Sequence, residues 1–254
     1  MVKKLVLAIT MTLSAVITYA QTDSAKLEKL RTESGVDPTR VQSRAGFSFI
    51  IYDQKNSAGQ INNKLNLTLG VNRWSFAAKY EVISRTTGIP GSGFTSGMGD
   101  IKFSVLNAFY VKGKNALAMS AEFSMPTGKP EFGSQYFSAT PALTYSHTIT
   151  PTLIFAIQPQ YTFALMKDPA YPELSVLTIR SFLANFRASG LFLVFEVRPV
   201  MDLGNENTDL ILSPIIGKSL GGGFNIIFLS ELPVTENYRN TRGNMFQFGF
   251  NKNF

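Results

Sequence analysis

The stretch Met245-Phe-Gln-Phe-Gly-Phe-Asn-Lys-Asn-Phe254 closes the chain and sets the terms for reading the rest. Phe246, Phe248, Phe250 and Phe254 share one parity, whereas Gln247, Gly249, Asn251 and Asn253 share the other. A strand puts successive side chains on opposite faces, so one face here is aromatic and the other polar. Left exposed at a sheet edge in water, such a strand invites aggregation. The aromatic face therefore calls for an apolar surrounding, and the terminal Phe254 for a reason to be there.

Working back along the chain, the same period of two recurs. In 64–71, Leu65, Leu67, Leu69 and Val71 oppose Lys64, Asn66, Thr68 and Gly70; in 116–125, Leu117, Met119, Ala121 and Phe123 oppose Ser120, Glu122 and Ser124. Counted this way, residues 43–254 hold about twelve strands, many near the 9–11 residues that cross a bilayer at a tilt. LFLVF (191–195) and NIIFL (225–229) are apolar on both faces and carry a weaker signal. Pro141, Pro159, Pro199 and Pro214 fall inside these segments, where each removes a ladder donor, so bulges or strand ends are expected there.

The connections alternate. Polar stretches such as 84–99, 126–137 and 233–244 take turns with short ones such as Asn72-Arg73, Lys112 to Asn115, and Gly221 to Gly223. Short turns on the periplasmic side and longer loops outside are the mark of membrane barrels, whereas a secreted β-sandwich has no reason to alternate loop lengths. In hydrocarbon every backbone N–H and C=O must be paired internally, which a sheet achieves only by closing on itself. The fold expected is all-β: a transmembrane antiparallel up-and-down barrel with both termini periplasmic. Trp74, Tyr80, Phe109, Tyr110, Tyr145, Tyr161 and Phe163 are candidates for interfacial aromatic girdles.

Lys3 and Lys4 followed by the apolar run 5–16 and the small-residue end Thr18-Tyr19-Ala20 read as an export signal, residues 1–20, cleaved after Ala20. Its loss removes two lysines and takes the net charge from +7 to +5. That charge is spread along the chain, and no clustered basic face points to nucleic acid. Residues 21–42 are charged and nearly free of aromatics. A helix from Ser24 to about Glu33, ended by Gly35 and Asp37-Pro38, fits them, and the segment reads as a short periplasmic tether or loose cap.

Chemistry-bearing residues are few. The chain has no cysteine and one histidine, which leaves no basis for a disulfide, a metal site or a cofactor. His147 lies in TYSHTI, with Leu143 and Tyr145 on its face, and its surroundings do not resemble the histidine-serine motif of outer-membrane phospholipases. An interfacial structural role is expected, and no enzymatic activity. Gly91 to Gly97 lacks the lysine and the helix of a phosphate-binding loop. Taking the polar parity as lumen-facing places Lys64, Lys79, Glu81, Asp100, Lys102, Glu122, Arg180, Glu196 and Arg198 inside. These mixed charges form either a structural ion-pair lattice or a lining that sets what passes.

Residues 96–110, SGMGDIKFSVLNAFY, and 121–133, AEFSMPTGKPEFG, resemble the family of phenol-degradation meta-pathway proteins, through Gly97, Gly99, Asp100, Pro126, Thr127 and Gly128. The resemblance implies an envelope barrel that passes small hydrophobic or aromatic compounds. The expected function is passive passage of small solutes across the outer membrane, through a channel or transporter. The alternative is a structural or binding barrel with a closed charged lumen and partner-binding extracellular loops. Expected partners are outer-membrane lipid and the barrel assembly machinery. Phe246, Phe248, Phe250 and Phe254 resemble the C-terminal aromatic signature that such machinery reads. Lys252 stands where that signature expects an apolar residue, at a height where a lysine can snorkel.

Overall fold

The computed structural model describes residues 24–53, 59–86, 89, 93–235 and 243–254; the signal stretch lies outside them. In chain order these residues form helix α1 (Ser24–Ser34) and strands β1 (Arg44–Asp53), β2 (Gly59–Val71), β3 (Trp74–Thr86), β4 (Thr95–Met98), β5 (Ile101–Lys112), β6 (Asn115–Met125) and β7 (Tyr136–Thr150). Strands β8 (Leu153–Lys167), β9 (Ser175–Phe186), β10 (Leu191–Asp202), β11 (Asn207–Gly221), β12 (Phe224–Pro233) and β13 (Asn244–Asn253) complete the chain. Sequential strands pair antiparallel, β13 pairs β1 from Arg44↔Asn253 to Asp53↔Asn244, and no free edge is left between first and last. The sheet is a closed up-and-down barrel, the one sheet topology that satisfies its whole backbone in lipid.

Strand β4 does not add a wall position. β3 pairs with β5 over Trp74–Lys79 and with β4 over Val82–Arg85, so β4 and β5 are one wall strand interrupted at Gly99 and Asp100. Across the interruption the register slips by one residue, from Lys79↔Lys102 to Val82↔Met98, with the Gly99 N–H donating to the Glu81 carbonyl at 2.9 Å. The wall is thus twelve strands with one split, and the 84–99 stretch, read as loop throughout, contains the short upper piece.

The outer wall carries the predicted parity. Phe47, Leu65, Leu67, Leu69, Phe76, Phe228, Phe248 and Phe250 are all exposed, and Leu69 is 57% exposed. A belt of large apolar side chains facing outward around the wall is the surface of a barrel that sits in hydrocarbon. Near the turn end Phe109 and Tyr110 both face out, because a bulge between Asn107 and Tyr110 inserts one residue and resets the parity.

The prolines are accommodated differently from the sequence expectation. Pro141, Pro159, Pro199 and Pro214 lie mid-strand and produce no bulge. Each coincides with missing rungs on one side while the register stays constant. In β7–β8 the rungs resume from Ala139↔Phe163 to Ala142↔Gln160 and then Tyr145↔Ile157, so two prolines thin the same ladder. Removing a donor costs a rung without forcing the strand to bend when the flanking rungs hold the register.

Helix α1 overturns the expectation of a loose cap. It enters the barrel at the turn end and buries Leu27 and Leu30 against Ile154, Ala156, Phe182, Ala184, Phe186, Phe192 and Val194. So short a segment cannot build a core of its own, and the helix instead borrows the core of the barrel wall. These wall positions are lumen-facing, which explains why LFLVF is apolar on both faces: one faces lipid and the other faces the helix. Polar contacts pin the segment. Arg31 donates to Asp37 at 2.8 Å and to Thr148 at 3.0 Å, and the Asn225 and Asn253 amides donate to the Glu33 carbonyl at 2.9 and 2.7 Å. The helix ends at Gly35, whose φ of +69° is the left-handed C-terminal conformation that glycine takes without strain.

Candidate functional site: the lumen

Two cavities fill the barrel. The first, about 1040 Å³, runs the height of the wall on the β2–β8 side, from Gln42, Thr68 and Ser75 near the turns to Arg85, Phe132 and Tyr136 near the loops. The second, about 780 Å³, lies toward the loop end on the β9–β13 side, lined by Lys64, Thr178, Arg198, Asp209, Glu231 and Gln247 among others. They meet at a ring of residues common to both: Tyr52, Glu81, Lys102, Gln160 and Arg180. Helix α1 fills the turn end only where it packs on β8–β12, so the first cavity reaches that end beside it, along Gly35, Pro38 and Arg40.

The lumen-facing residues named from parity take distinct parts. Lys79 on β3 pairs with Glu122 on β6 across β5. Glu196 on β10 is 1% exposed and is gripped from both sides, by Arg180 Nε at 2.7 Å and Nη2 at 2.9 Å and by Arg198 Nε at 2.8 Å. Arg198 in turn reaches Glu231 at 2.5 Å, making a four-member chain of alternating charge across β9, β10 and β12. Arg180 spans both oxygens of Glu196 with a two-point guanidinium fork, the arrangement in which arginine binds best. Lys64 faces Glu81 across β2–β3, and Lys102 faces Lys79 across β3–β5, but neither lysine makes an ion pair or hydrogen bond among the described residues. Glu81 accepts from Asn62 at 2.9 Å.

Asp100 lines the first cavity at the loop end, yet it pairs with no cation. Its carboxylate accepts from the Gly128 N–H at 3.0 Å and from the N–H and hydroxyl of Ser134 at 2.7 and 2.6 Å. Around it the residues of the sequence resemblance converge into one knot. Thr127 Oγ1 accepts from the Ile101 N–H at 2.9 Å, and Gly97 lies under the Phe132 ring, where a Cβ would sit 2.1 Å from a ring carbon. Gly128 abuts the Met98 carbonyl, and Pro126 leads the chain into the same loop. The knot fastens the 126–135 loop over the upper end of β4, whose outer edge has no strand partner among the described residues.

Sequence parity missed Glu231, which sits at the end of a strand apolar on both faces, the neutral lining groups Tyr52 and Gln160, and buried Asn62, which donates to Glu81. The alternation in β1, β2 and β8 carried that information, but uncharged polar residues do not stand out from it. The Nδ1 of His147 lies 2.8 Å from Asn115 Oδ1, and its ring stacks on Tyr145. Ser146, its neighbour, points to the opposite face of the strand.

At the chain end, Phe246, Phe248, Phe250 and Phe254 all lie on the outer surface, and the Phe254 N–H donates to the Ser43 carbonyl at 3.1 Å. The Lys252 ammonium caps the Gly222 carbonyl and sits 4.2 Å over the centre of the Phe224 ring, so its charge is held at the turn end.

On the outer wall a third, apolar cavity of about 550 Å³ lies between Trp74, Met119, Leu143 and Tyr161, with Pro141 and Pro159 in its floor. Val105, Ser120, Ala121, Ala142 and Gln160 line both it and the large lumen cavity.

No protein-family model matches the chain, and no curated protein does. Its likeness is structural. The chain is similar to the COG4313 outer membrane channel from Pseudomonas putida F1, with a TM-score of 0.63 and 10% identity over 84% of this chain and 96% of that one. It is similar to the KdgM porin, with a TM-score of 0.60 and 8% identity over 83% of this chain and 99% of that one. The NanC porin matches with a TM-score of 0.55 and 12% identity over 83% of this chain and 98% of that one. At such identities the shared property is the fold, a barrel of the outer-membrane type.

Proposed function

We propose that the protein is an outer-membrane channel for passive passage of small solutes, its turn end in the periplasm and its loop end outside. The observation that carries this reading is the lumen cavity of about 1040 Å³ that runs beside helix α1 from the turn end to the loop end. Within the class, the reading favours hydrophobic or aromatic solutes. The support is the apolar groove over Pro141 and Pro159, where β7–β8 rungs are missing and Val105, Ser120, Ala121, Ala142 and Gln160 line both groove and lumen. The C-terminal aromatic strand is the signal by which the assembly machinery would insert the barrel.

Purified protein reconstituted into liposomes should speed entry of small sugars and aromatic amino acids over empty vesicles, and boiled protein should not. Uptake no faster than in empty vesicles for both probe types would sink the channel reading. The second reading, a closed structural barrel whose loops bind a partner, draws on the Arg180–Glu196–Arg198–Glu231 chain and the helix in the mouth. It expects no flux in liposomes and loss of function only from loop deletions.

A further inference from the structure

Of the charged side chains that line the two lumen cavities, every carboxylate already accepts at least one hydrogen bond from the protein. Asp37 accepts from Arg31 and Thr39, Glu81 from Asn62, Asp100 from Gly128 and Ser134, and Glu122 from Lys79. Asp202 accepts from Gly204 and Asn205, Asp209 from Thr235, and Glu231 from Arg198. The arginines and Lys79 are likewise engaged: Arg40 with Glu28, Arg44 with Asn253, and Arg85 with Gln60. Lys64 and Lys102 are different. Among the described residues these two lining charges have neither a hydrogen bond nor an ion pair, and both are half-buried.

Their position matters as much as their lack of partners. Lys102 stands in the ring shared by the two cavities, with Arg180 as the other cation of that ring, and Lys64 opens directly onto the second cavity. Arg180 spends Nε and Nη2 on Glu196, which leaves Nη1 to the lumen. Glu81 is the ring's single carboxylate, so the ring carries two positive charges and one negative. An ammonium without a protein acceptor in a narrow lumen is solvated only by water there, and a passing anion can take that water's place at little cost. A cation in the same place meets two positive charges and one negative, so the ring disfavours it. Low-dielectric walls concentrate this field on the axis of passage.

We propose that this ring is a selectivity filter for small anions, organic carboxylates included, with Lys102 and Lys64 supplying the attraction and Arg180 held in place by Glu196. The inference rests on the channel reading above and narrows it: the preferred solute is a small organic acid in its ionised form, its apolar body carried past Tyr52 and Gln160.

The test is the reversal potential of the full protein in planar bilayers under a potassium chloride gradient at low ionic strength, where screening is least. Unmodified protein should be anion-selective. Lys102→Gln and Lys64→Gln should each move the reversal potential toward zero, and the double variant should lose anion preference or become cation-selective. Under bi-ionic conditions, potassium benzoate against potassium chloride, benzoate should carry current through unmodified protein and carry less through K102Q. Heat-modifiable migration on gels identifies variants that still form the barrel. Cation selectivity of the unmodified protein, or a double variant with unchanged selectivity, overturns the filter while leaving a channel. Chloride current without any benzoate current overturns the organic-acid assignment. Absence of conductance from unmodified protein overturns the channel reading and the filter with it.

Discussion

Leu65 lies near the middle of β2, opposite Phe47 on one side and Tyr80 on the other, and its side chain faces outward. In a water-soluble sheet an arginine there would cost almost nothing. In a barrel surrounded by lipid, Leu65→Arg is expected to lower stability by about 2–4 kcal/mol, read from urea unfolding in lipid vesicles. An unchanged midpoint would mean that this face does not meet hydrocarbon. On the inner side the sensitive residue is Glu196. Replacing it by glutamine leaves two guanidinium groups facing one neutral amide, and the expected cost is about 3 kcal/mol, with little effect from the same change at exposed Glu206. Parity in the sequence placed Glu196, Arg180 and Arg198 on one face, but could not pair them. Pairing depends on which strands are neighbours and at what stagger, and Glu231 was hidden in a strand without alternation.

Among the elements, helix α1 carries the clearest lesson. The sequence marks its ends, Ser24 and Gly35, because caps and breakers are local; the helix runs Ser24–Ser34. Its destination was not legible, because the docking surface is spread over β8, β9 and β10 and looks, in each strand alone, like excess hydrophobicity. Leu27→Ala should loosen it by about 2–5 kcal/mol of local stability. Trypsin would then cut faster after Lys26, Lys29 and Arg31, while the barrel keeps its heat-modifiable migration. If Lys26 and its neighbours are cut at equal rates in both proteins, the helix is not held by this contact. The knot at Asp100 is a second such element. Asp100→Asn replaces a two-oxygen acceptor of three donors with an amide, and should speed cleavage by a glutamate-specific protease after exposed Glu131 in the 126–135 loop. The prolines, by contrast, were expected to mark bulges or strand ends, and instead mark absent rungs in an unshifted ladder. A sequence shows that a donor is missing, but not whether the neighbouring rungs will hold the register.

For the whole molecule, barrel closure follows from the period-two strands and the alternation of turns and loops, since both are local patterns repeated along the chain. The split of one wall strand at Gly99 and Asp100 does not follow from them, because it depends on how β3 divides its partners between β4 and β5. Nor does the shape of the lumen, which depends on where the helix sits and which cations are left without carboxylates. The central claim is that a continuous aqueous path crosses this barrel beside its own helix. Single-channel recording in planar bilayers tests it most directly. Unboiled protein should give steady, ohmic conductance steps, and a variant lacking residues 24–34 should give larger ones because the blocked half of the mouth is cleared. Silence from both proteins, each shown by its gel migration to be a folded barrel, would contradict it.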